Sequence, residues 1–600
     1  MTRFIKFFRE SYELGLSKKI VLISMSLYLA SVFFEAIGIS LILPIISLFI
    51  SGEAVESLVG NQTVVSSIID FIESLGISPN KYNFIIIFII VIICRQCVIF
   101  FRASWNASMI AKLVYDLRKK AFGRFLMTKE DFFKKESSGN TLNDMSVEVN
   151  QAAVIMIKGV EIIGIITMFI VYIGIMLYLS INLTLLTIFS FFIVAYLLKG
   201  LWSKSSTVGS QITLNNRVFM SHVTRRFSNL RLLKLTGDIS FEKKLIENIT
   251  IEQRKKQFKA GYLIALTNAC IEPLIFILAA IILYGAIEVF GQSLIDIGLF
   301  SLILIRGVPL ARTGFASWQG IEGKWASIKA ISKTMKDLDN NKENFSGTNS
   351  LNASPPEIIF DKVSYSYDTR NKNTIDSITL KIEPGEIIAL VGPSGSGKST
   401  LIDFIPRLKI PDSGNILINK ENINDINLAD LRSNIGFLPQ TPQILDGTIK
   451  DHVKFGNYKL SDAEILVSLK KAGLESMINK LEYGIDTNIG DNGVLLSGGE
   501  KQRVDLARVL ARKASILILD EPASNLDLVT EDLIIKAILE EQKTHNKTII
   551  LIGHRLKAFK IFDKIIVLNH GIIEAFGSHD MVLRNSAWYK KAWLMGEQEN

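Results

Sequence analysis

Six hundred residues are too many for one domain, and a chain that is 48% hydrophobic with a mean hydropathy of +0.31 is too apolar for an ordinary soluble enzyme, so a large part of it lies in lipid. The net charge of +9 does not mark a nucleic-acid binder: the residues before Pro356 carry 37 Lys and Arg against 25 Asp and Glu, whereas the remainder carries 30 against 33. The basic excess belongs to the apolar half, where membrane orientation accounts for it. The three cysteines, Cys94, Cys97 and Cys270, all fall in apolar segments and make neither a disulfide framework nor a zinc spacing.

Arg3, Lys6, Arg9, Lys18 and Lys19 precede an apolar segment from Ile20 to about Ile50, far longer than a signal-peptide core of about 7–15 residues. It reads as a first transmembrane helix. Further spans are expected at 84–101, 160–179, 183–198, 262–287 and 297–311, each near the length that crosses a bilayer. The loops 102–140 and 199–261 are rich in Lys and Arg, whereas 52–83 carries Glu53, Glu56, Asp70 and Glu73 against Lys81. By the positive-inside rule the basic loops and the N-terminus are cytoplasmic, and six crossings return the C-terminal half to the cytoplasm. Both basic loops keep helical apolar spacing at their flanks, which predicts helices extending beyond the bilayer and ending in short turn-and-helix segments near 129–137 and 224–233. In 55–77, Val65, Ile68, Ile69, Ile72 and Leu75 recur at helical spacing opposite Asp70 and Glu73. This is the pattern of an amphipathic helix at the outer surface, or of a plain loop helix.

A charge within hydrocarbon is costly and faces a partner or a wet cavity. The charges in or near the spans are Glu35, Arg95, Arg102, Glu161, Glu272, Arg306 and Arg312. Arg102, Glu161 and Arg312 are expected near helix ends, reaching the interface, and Glu35, Arg95 and Arg306 to face a cavity. A Glu35–Arg95 pair of purely structural value is the competing reading.

The Asn- and Ser-rich stretch 337–356, ending in two prolines, is expected to be a linker between a membrane part, 1–336, and a second part, 357–600. There the pattern changes to short β-type runs alternating with helices. The apolar run Ile387–Val391 meets Gly392-Pro393-Ser394-Gly395-Ser396-Gly397-Lys398-Ser399-Thr400 and then a helix start. Strand, glycine-rich turn and helix N-terminus together form a phosphate-binding loop whose N–H groups close on a triphosphate. Lys398 reaches the β/γ-phosphates and the Ser399 hydroxyl reaches Mg²⁺. Ser497-Gly498-Gly499 opens another helix, a second anion site, and Ile516–Leu519 leads to Asp520 and Glu521 at the carboxyl end of a buried strand, where parallel α/β sheets bind ligands.

With these residues in this order the chain resembles the ABC transporter family over both halves. Leu496–Arg503 looks like the family signature, Ile516–Pro522 like its Walker B strand, Ser524–Asp527 like the D-loop, Gln440 like the Q-loop glutamine and His554 like the switch histidine, while Tyr367 occupies the place of the aromatic that stacks on adenine. Glu500 replaces the glutamine commoner in exporters, and Asn525 the usual D-loop alanine. The resemblance implies ATP and Mg²⁺ as cofactors, with Ser399, Gln440 and Asp520 at the metal, Glu521 polarising the attacking water, and His554 and Lys398 on the γ-phosphate. It also implies a dimer, since each signature closes over the ATP of the other nucleotide-binding domain.

The expected fold is thus a six-helix membrane bundle fused to a cytoplasmic α/β ATPase domain, which looks like the exporter class. A membrane-anchored ATPase without transport is the alternative from another class; six spans with charges inside them argue against it. The run Glu35–Pro44, Arg95 in the second span, and Arg306, Pro309 and Arg312 in the sixth are similar to bacterial lipid-linked oligosaccharide flippases. The expected cargo is an amphiphile, with small peptides and hydrophobic drugs as alternatives. The expected setting is the cytoplasmic membrane, with lipid and a second copy of the chain as partners and no nucleic acid.

Overall fold

A computed structural model describes residues 2–50, 74, 76, 81–135, 138–288, 294–351, 355–367, 373–523, 527–553 and 556–598. The expected outer helix at 55–77, the D-loop residues Ser524 and Asn525, and His554 fall outside them apart from isolated positions. The chain divides into two compact units, Met1–Glu343 and Asn344–Asn600.

The first unit is helical: α1 (Thr2–Leu14), α2 (Lys18–Ile50), α3 (Lys81–Leu126), α4 (Glu130–Lys135), α5 (Ser138–Asn143), α6 (Val149–Leu179), α7 (Ile181–Ser228), α8 (Leu230–Thr236), α9 (Ile239–Glu288) and α10 (Leu294–Asn340). Among the described residues five helices are long and apolar enough to cross a membrane, namely those of the first five expected spans; the run 297–311 opens the sixth long helix, α10. α7 has 48 residues, so at 1.5 Å per residue it is about 70 Å long and outreaches a hydrocarbon core of about 30 Å.

The short segment expected at 129–137 is α4. The one expected at 224–233 lies further along, because α7 runs unbroken to Ser228 and α8 closes on Gly237, whose φ of +71° suits a left-handed C-terminal cap. α10 likewise continues to Asn340, past the expected start of the linker, with Leu338 buried.

The helix extensions are tied by close backbone approach and by buried polar groups. A Cβ on Gly209 of α7 would lie 1.7 Å from the Gly323 carbonyl oxygen of α10, so no side chain fits at that crossing. A π-helical turn, Asp144–Glu148, joins α5 to α6, and it is buried at Asp144 and Glu148. Arg217 of α7 forks onto Asp144 through Nε at 3.0 Å and Nη2 at 2.6 Å, and Thr334 Oγ1 of α10 donates to the same carboxylate.

The second unit holds a four-stranded antiparallel sheet, in the order β2 (Ile375–Ile382), β1 (Ile358–Tyr365), β4 (Ser413–Ile418), β5 (Glu421–Asn422). A six-stranded sheet follows in the order β10 (Ile572–Gly577), β9 (Lys564–Asn569), β3 (Ile387–Val391), β8 (Thr548–Ile552), β7 (Ile516–Asp520), β6 (Ile435–Leu438). All its pairings are parallel except β10 with β9. β3, β7 and β8 are buried at every residue, which explains their unbroken apolar sequence.

Side chains alternate between two cores with the period of a strand. Ala389, Leu517 and Leu551 join Val504, Ala507 and Val509 of the helix Gly498–Leu510 on one face. Leu390, Ile518 and Ile550 join Leu401 and Ile402 of the helix Lys398–Asp403, together with the antiparallel sheet, on the other. The two helices that open on the expected anion-binding turns therefore pack on opposite faces of one sheet.

Candidate functional site

The carboxyl ends of β3, β8, β7 and β6 lie side by side, and the motif residues follow them. The phosphate loop leaves β3 and makes its turn through glycines that nothing larger replaces. Gly397 caps the helix with φ +104°, and a Cβ there would sit 2.9 Å from the Thr374 carbonyl oxygen; at Gly392 it would sit 2.0 Å from that of Leu568. Lys398 is buried, and its Nζ donates to the carbonyls of Gly392 at 2.9 Å and Pro393 at 3.0 Å. Burial pushes its pKa down, against the opposing fields of Glu521 and Asp520. Ser396 Oγ, 3% exposed at the residue, has no hydrogen-bond partner among the described residues, as expected of a group that serves a ligand. Ser394 and Gly395 complete the turn, Gly395 with φ +77° and open space where a Cβ would point.

Ser399 Oγ donates to Asp520 Oδ2 at 3.2 Å, which joins the loop to the end of β7 and sets two hard oxygen ligands together. Gln440 follows β6, whose Leu438 pairs with Leu519 just before Asp520, so it stands exposed at the same edge. These three were the expected Mg²⁺ residues, and their oxygens suit that ion. Tyr367, just past β1, shares a hydrogen bond with Thr400 (3.2 Å between hydroxyls), and Lys409 Nζ lies 5.1 Å from its ring centroid. The aromatic is thereby brought onto the phosphate-loop helix from a strand of the other sheet.

Glu521 sits in the left-handed region at φ +53°, an uncommon and strained conformation for a residue with a Cβ. Two bonds hold it: its N–H donates to Ile552 O at 2.9 Å, and its carbonyl accepts from Gln502 Nε2 at 2.5 Å. Gln502 is a functional neighbour that motif reading passed over. Its position in the signature run was visible, but its reach to Glu521 depends on packing.

Ser497 and Gly498 are exposed at the start of the signature helix, and no hydrogen bond joins Ser497, Gly498 or Gly499 to the phosphate loop among the described residues. Val494 and Leu495 beside them are both 71% exposed. Glu500 completes a capping box: Ser497 N and Oγ donate to Glu500 Oε2 at 2.8 and 2.7 Å, and Glu500 N donates to Ser497 Oγ at 3.3 Å. The Ser497 bonds hold the Glu500 carboxyl below its usual range. The depressed folded value means that the contribution is present above the unfolded value and lost as pH falls through the folded one. Glutamine also closes such a box, so Glu500→Gln is expected to leave the ATPase rate within about twofold, while Glu500→Ala lowers stability by about 1 kcal/mol. Thermal melting and ATPase assays of the two variants check this.

The membrane unit gathers its charges in a pocket of about 240 Å³ lined by Glu35, Arg95, Arg102, Glu161 and Arg306, with Tyr28 and Tyr172. Glu35, 6% exposed, accepts from Arg95 Nη2 at 2.7 Å, while Arg95 Nε is buried without a partner among the described residues. Arg102 and Glu161, expected near helix ends, instead lie well inside α3 and α6, and both face this pocket, Arg102 with its guanidinium 4.3 Å from the Tyr28 ring centroid. Arg312, likewise inside α10, instead pairs with Glu272 of α9. Arg306 forms no ion pair among the described residues. An apolar cavity of about 550 Å³ adjoins the charged pocket and shares Ile165 and Tyr172 with it; Phe169, Phe191, Trp202 and Phe315 are among its walls.

Residues 375–524 match the ABC transporter family model, and residues 21–307 match that of the ABC transporter transmembrane region. An ATP-dependent lipid A-core flippase of Albidiferax ferrireducens is 31% identical over 505 residues, covering 81% of this chain and 83% of that protein. The chain belongs to the ABC transporter family. A mitochondrial iron-sulfur clusters transporter of Kluyveromyces lactis is 39% identical over 244 residues, 40% of this chain and 34% of that protein. The structure of a bacterial Atm1-family ABC exporter with ATP bound superposes with a TM-score of 0.81 at 20% identity, covering 96% of this chain and 99% of that one, a likeness of fold. This ABC transporter is therefore a half-transporter, with a multi-pass membrane domain fused to an ATP-binding domain that couples ATP hydrolysis to export.

Proposed function

We propose that this ABC transporter works as a homodimer in the cytoplasmic membrane, its N-terminus and ATPase domain cytoplasmic, and flips an amphiphile with an anionic, phosphate-bearing head from the cytoplasmic to the outer leaflet. A lipid-linked saccharide is the cargo this reading favours. The observation that carries it is the join between two unlike compartments. Three arginines against two glutamates leave the charged pocket with a formal excess of one positive charge, Arg306 has no ion pair among the described residues, and Ile165 and Tyr172 line both this pocket and a large apolar cavity. Arginine suits bidentate phosphate contact, and an apolar chain belongs in the second compartment. The relative named as a lipid A-core flippase supports a cargo of the lipid class.

At the ATP site, Lys398 offsets charge on the transferred phosphoryl group, Tyr367 faces the adenine, Glu521 orients the attacking water, and His554 is assigned to the γ-phosphate from sequence. Mg²⁺, which neutralises charge developing on the phosphates, would be held by Ser399, Gln440 and Asp520. The rest is positioning by the phosphate-loop N–H groups and the strained Glu521 turn. Ser497 and Gly498, exposed and flanked by uncovered Val494 and Leu495, serve with Gly499 the nucleotide of the second copy.

The cargo test compares Arg95→Gln and Arg306→Gln in a reconstituted lipid-linked saccharide flipping assay, with basal ATPase and expression as controls. Flipping is expected to fall about tenfold or more in each, with ATPase retained, since a charge-assisted contact contributes about 1.5–3 kcal/mol. Unchanged flipping in both, or transport by the parent of neutral or cationic peptides alone, overturns the reading; a hydrophobic drug would need only the apolar cavity.

A further inference from the structure

The signature helix Gly498–Leu510 carries a second polar group deep in the domain. Asp505 is 0% exposed, and burial acts to raise its pKa, yet His452 and Arg508 outweigh that and hold the carboxyl below its usual range. Arg508 Nε donates to Asp505 Oδ1 at 2.6 Å, and the other arm of the same guanidinium, Nη2, donates to the Phe437 carbonyl at 3.0 Å. From the opposite side His452, 1% exposed, sets Nε2 at 3.3 Å from Oδ1, while its Nδ1 accepts the N–H of Leu445 at 3.3 Å. Phe437 and Leu445 bracket the stretch that contains Gln440. Both ends of that stretch are thus hydrogen-bonded to side chains that converge on one carboxylate oxygen of the signature helix.

Stability alone does not account for such a group. Among the described residues neither Asp505 Oδ2 nor His452 Nε2 has a hydrogen-bond partner, although both residues are at most 1% exposed. A buried, incompletely bonded charge is generally no more stable than a well-packed apolar replacement. What the cluster does supply is a fixed relation between three parts: Gln502 on the same helix holds the Glu521 carbonyl, Arg508 holds the strand end before Gln440, and His452 holds the chain after it.

We propose that Asp505, with His452 and Arg508, is a positioning residue that makes the Gln440 stretch and the signature turn Ser497–Gly499 move as one body. Nucleotide engaged by Gln440 in one site then sets the signature turn presented to the nucleotide of the second copy. This rests on the reading above of Gln440 and Ser497 as nucleotide contacts in a homodimer.

The test uses the full-length transporter in lipid, with three readouts: affinity for a non-hydrolysed ATP analogue, kcat and KM for ATP, and thermal melting. The decisive variant is His452→Leu combined with Asp505→Leu, which removes both buried polar groups together. It is expected to melt no lower than the parent and to bind the analogue normally, while kcat falls about ten- to a hundredfold, the scale of a positional error relayed from outside the reacting centre. Parental kcat in this folded variant overturns the proposal, and so does a joint loss of melting temperature, affinity and rate, which marks a purely structural role. If the double variant does not fold, Asp505→Asn decides: a lower kcat with unchanged analogue affinity supports positioning, and parental kinetics overturns it. Gln440→Ala and Ser497→Arg are measured alongside. Normal turnover in both of those would fault the assignment of the nucleotide contacts, not the coupling between them.

Discussion

Replacing Glu521 by Gln is expected to leave ATP binding intact and to lower turnover by about 10²–10⁴-fold, the range that a positioned general base supplies. The amide has the size of the carboxylate and disturbs neither the Ile552 nor the Gln502 bond, because both are made by the Glu521 backbone. The strained turn at φ +53° is retained as well, so the variant isolates the charge that orients water from the geometry that places it. ATPase measured in lipid beside analogue binding separates the two. Normal turnover in Glu521→Gln would remove the glutamate from the chemistry and leave the turn as a structural feature.

Lys398→Ala is expected to fail at the earlier step, raising the nucleotide Kd by about 10- to 100-fold, as loss of a charge-assisted contact of about 1.5–3 kcal/mol requires. Its ammonium is held over the loop by the Gly392 and Pro393 carbonyls, so it is organised before any phosphate arrives. Combined with Ser497→Arg, the same variant tests the arrangement of sites. A mixed dimer with Ser497→Arg in one copy and Lys398→Ala in the other places both lesions in one composite site and leaves the second intact. It should keep a substantial part of the parental ATPase, whereas each variant paired with itself should keep almost none. If the mixed dimer is as inactive as the pure variants, the signature does not act in trans.

Motif reading assigns the nucleotide residues because their chemistry is local. Gly392 through Thr400 are consecutive, and the strand–turn–helix context that makes them a phosphate loop lies within a few residues on either side. Asp520 and Glu521 were legible because a run of apolar residues ending in two carboxylates is a buried strand meeting a ligand edge. Glu500, seen in sequence only as a departure from glutamine, gains its reason from the capping box it closes with Ser497. Within the spans the same reasoning misplaced Arg102 and Glu161. The end of an apolar run is not the end of its helix, because α3 and α6 extend past those runs into polar sequence.

By itself the sequence determined the division into an apolar, basic half and an α/β half, the positions of the long helices, and the order of the phosphate loop, signature and Walker B strand, all of which depend on periodicity and contiguous spacing. Only the tertiary structure decided that Glu35, Arg95, Arg102, Glu161 and Arg306, drawn from four helices, share one pocket, and that this pocket shares Tyr172 and Ile165 with an apolar cavity. It alone decided, too, that His452 and Arg508, which meet at Asp505, bind the two ends of the Gln440 stretch. The physical reason is the same in each case: side chains distant in the chain meet only when helix packing and sheet order set their relative rotation, and a spacing along one helix specifies its own faces without naming the face opposite.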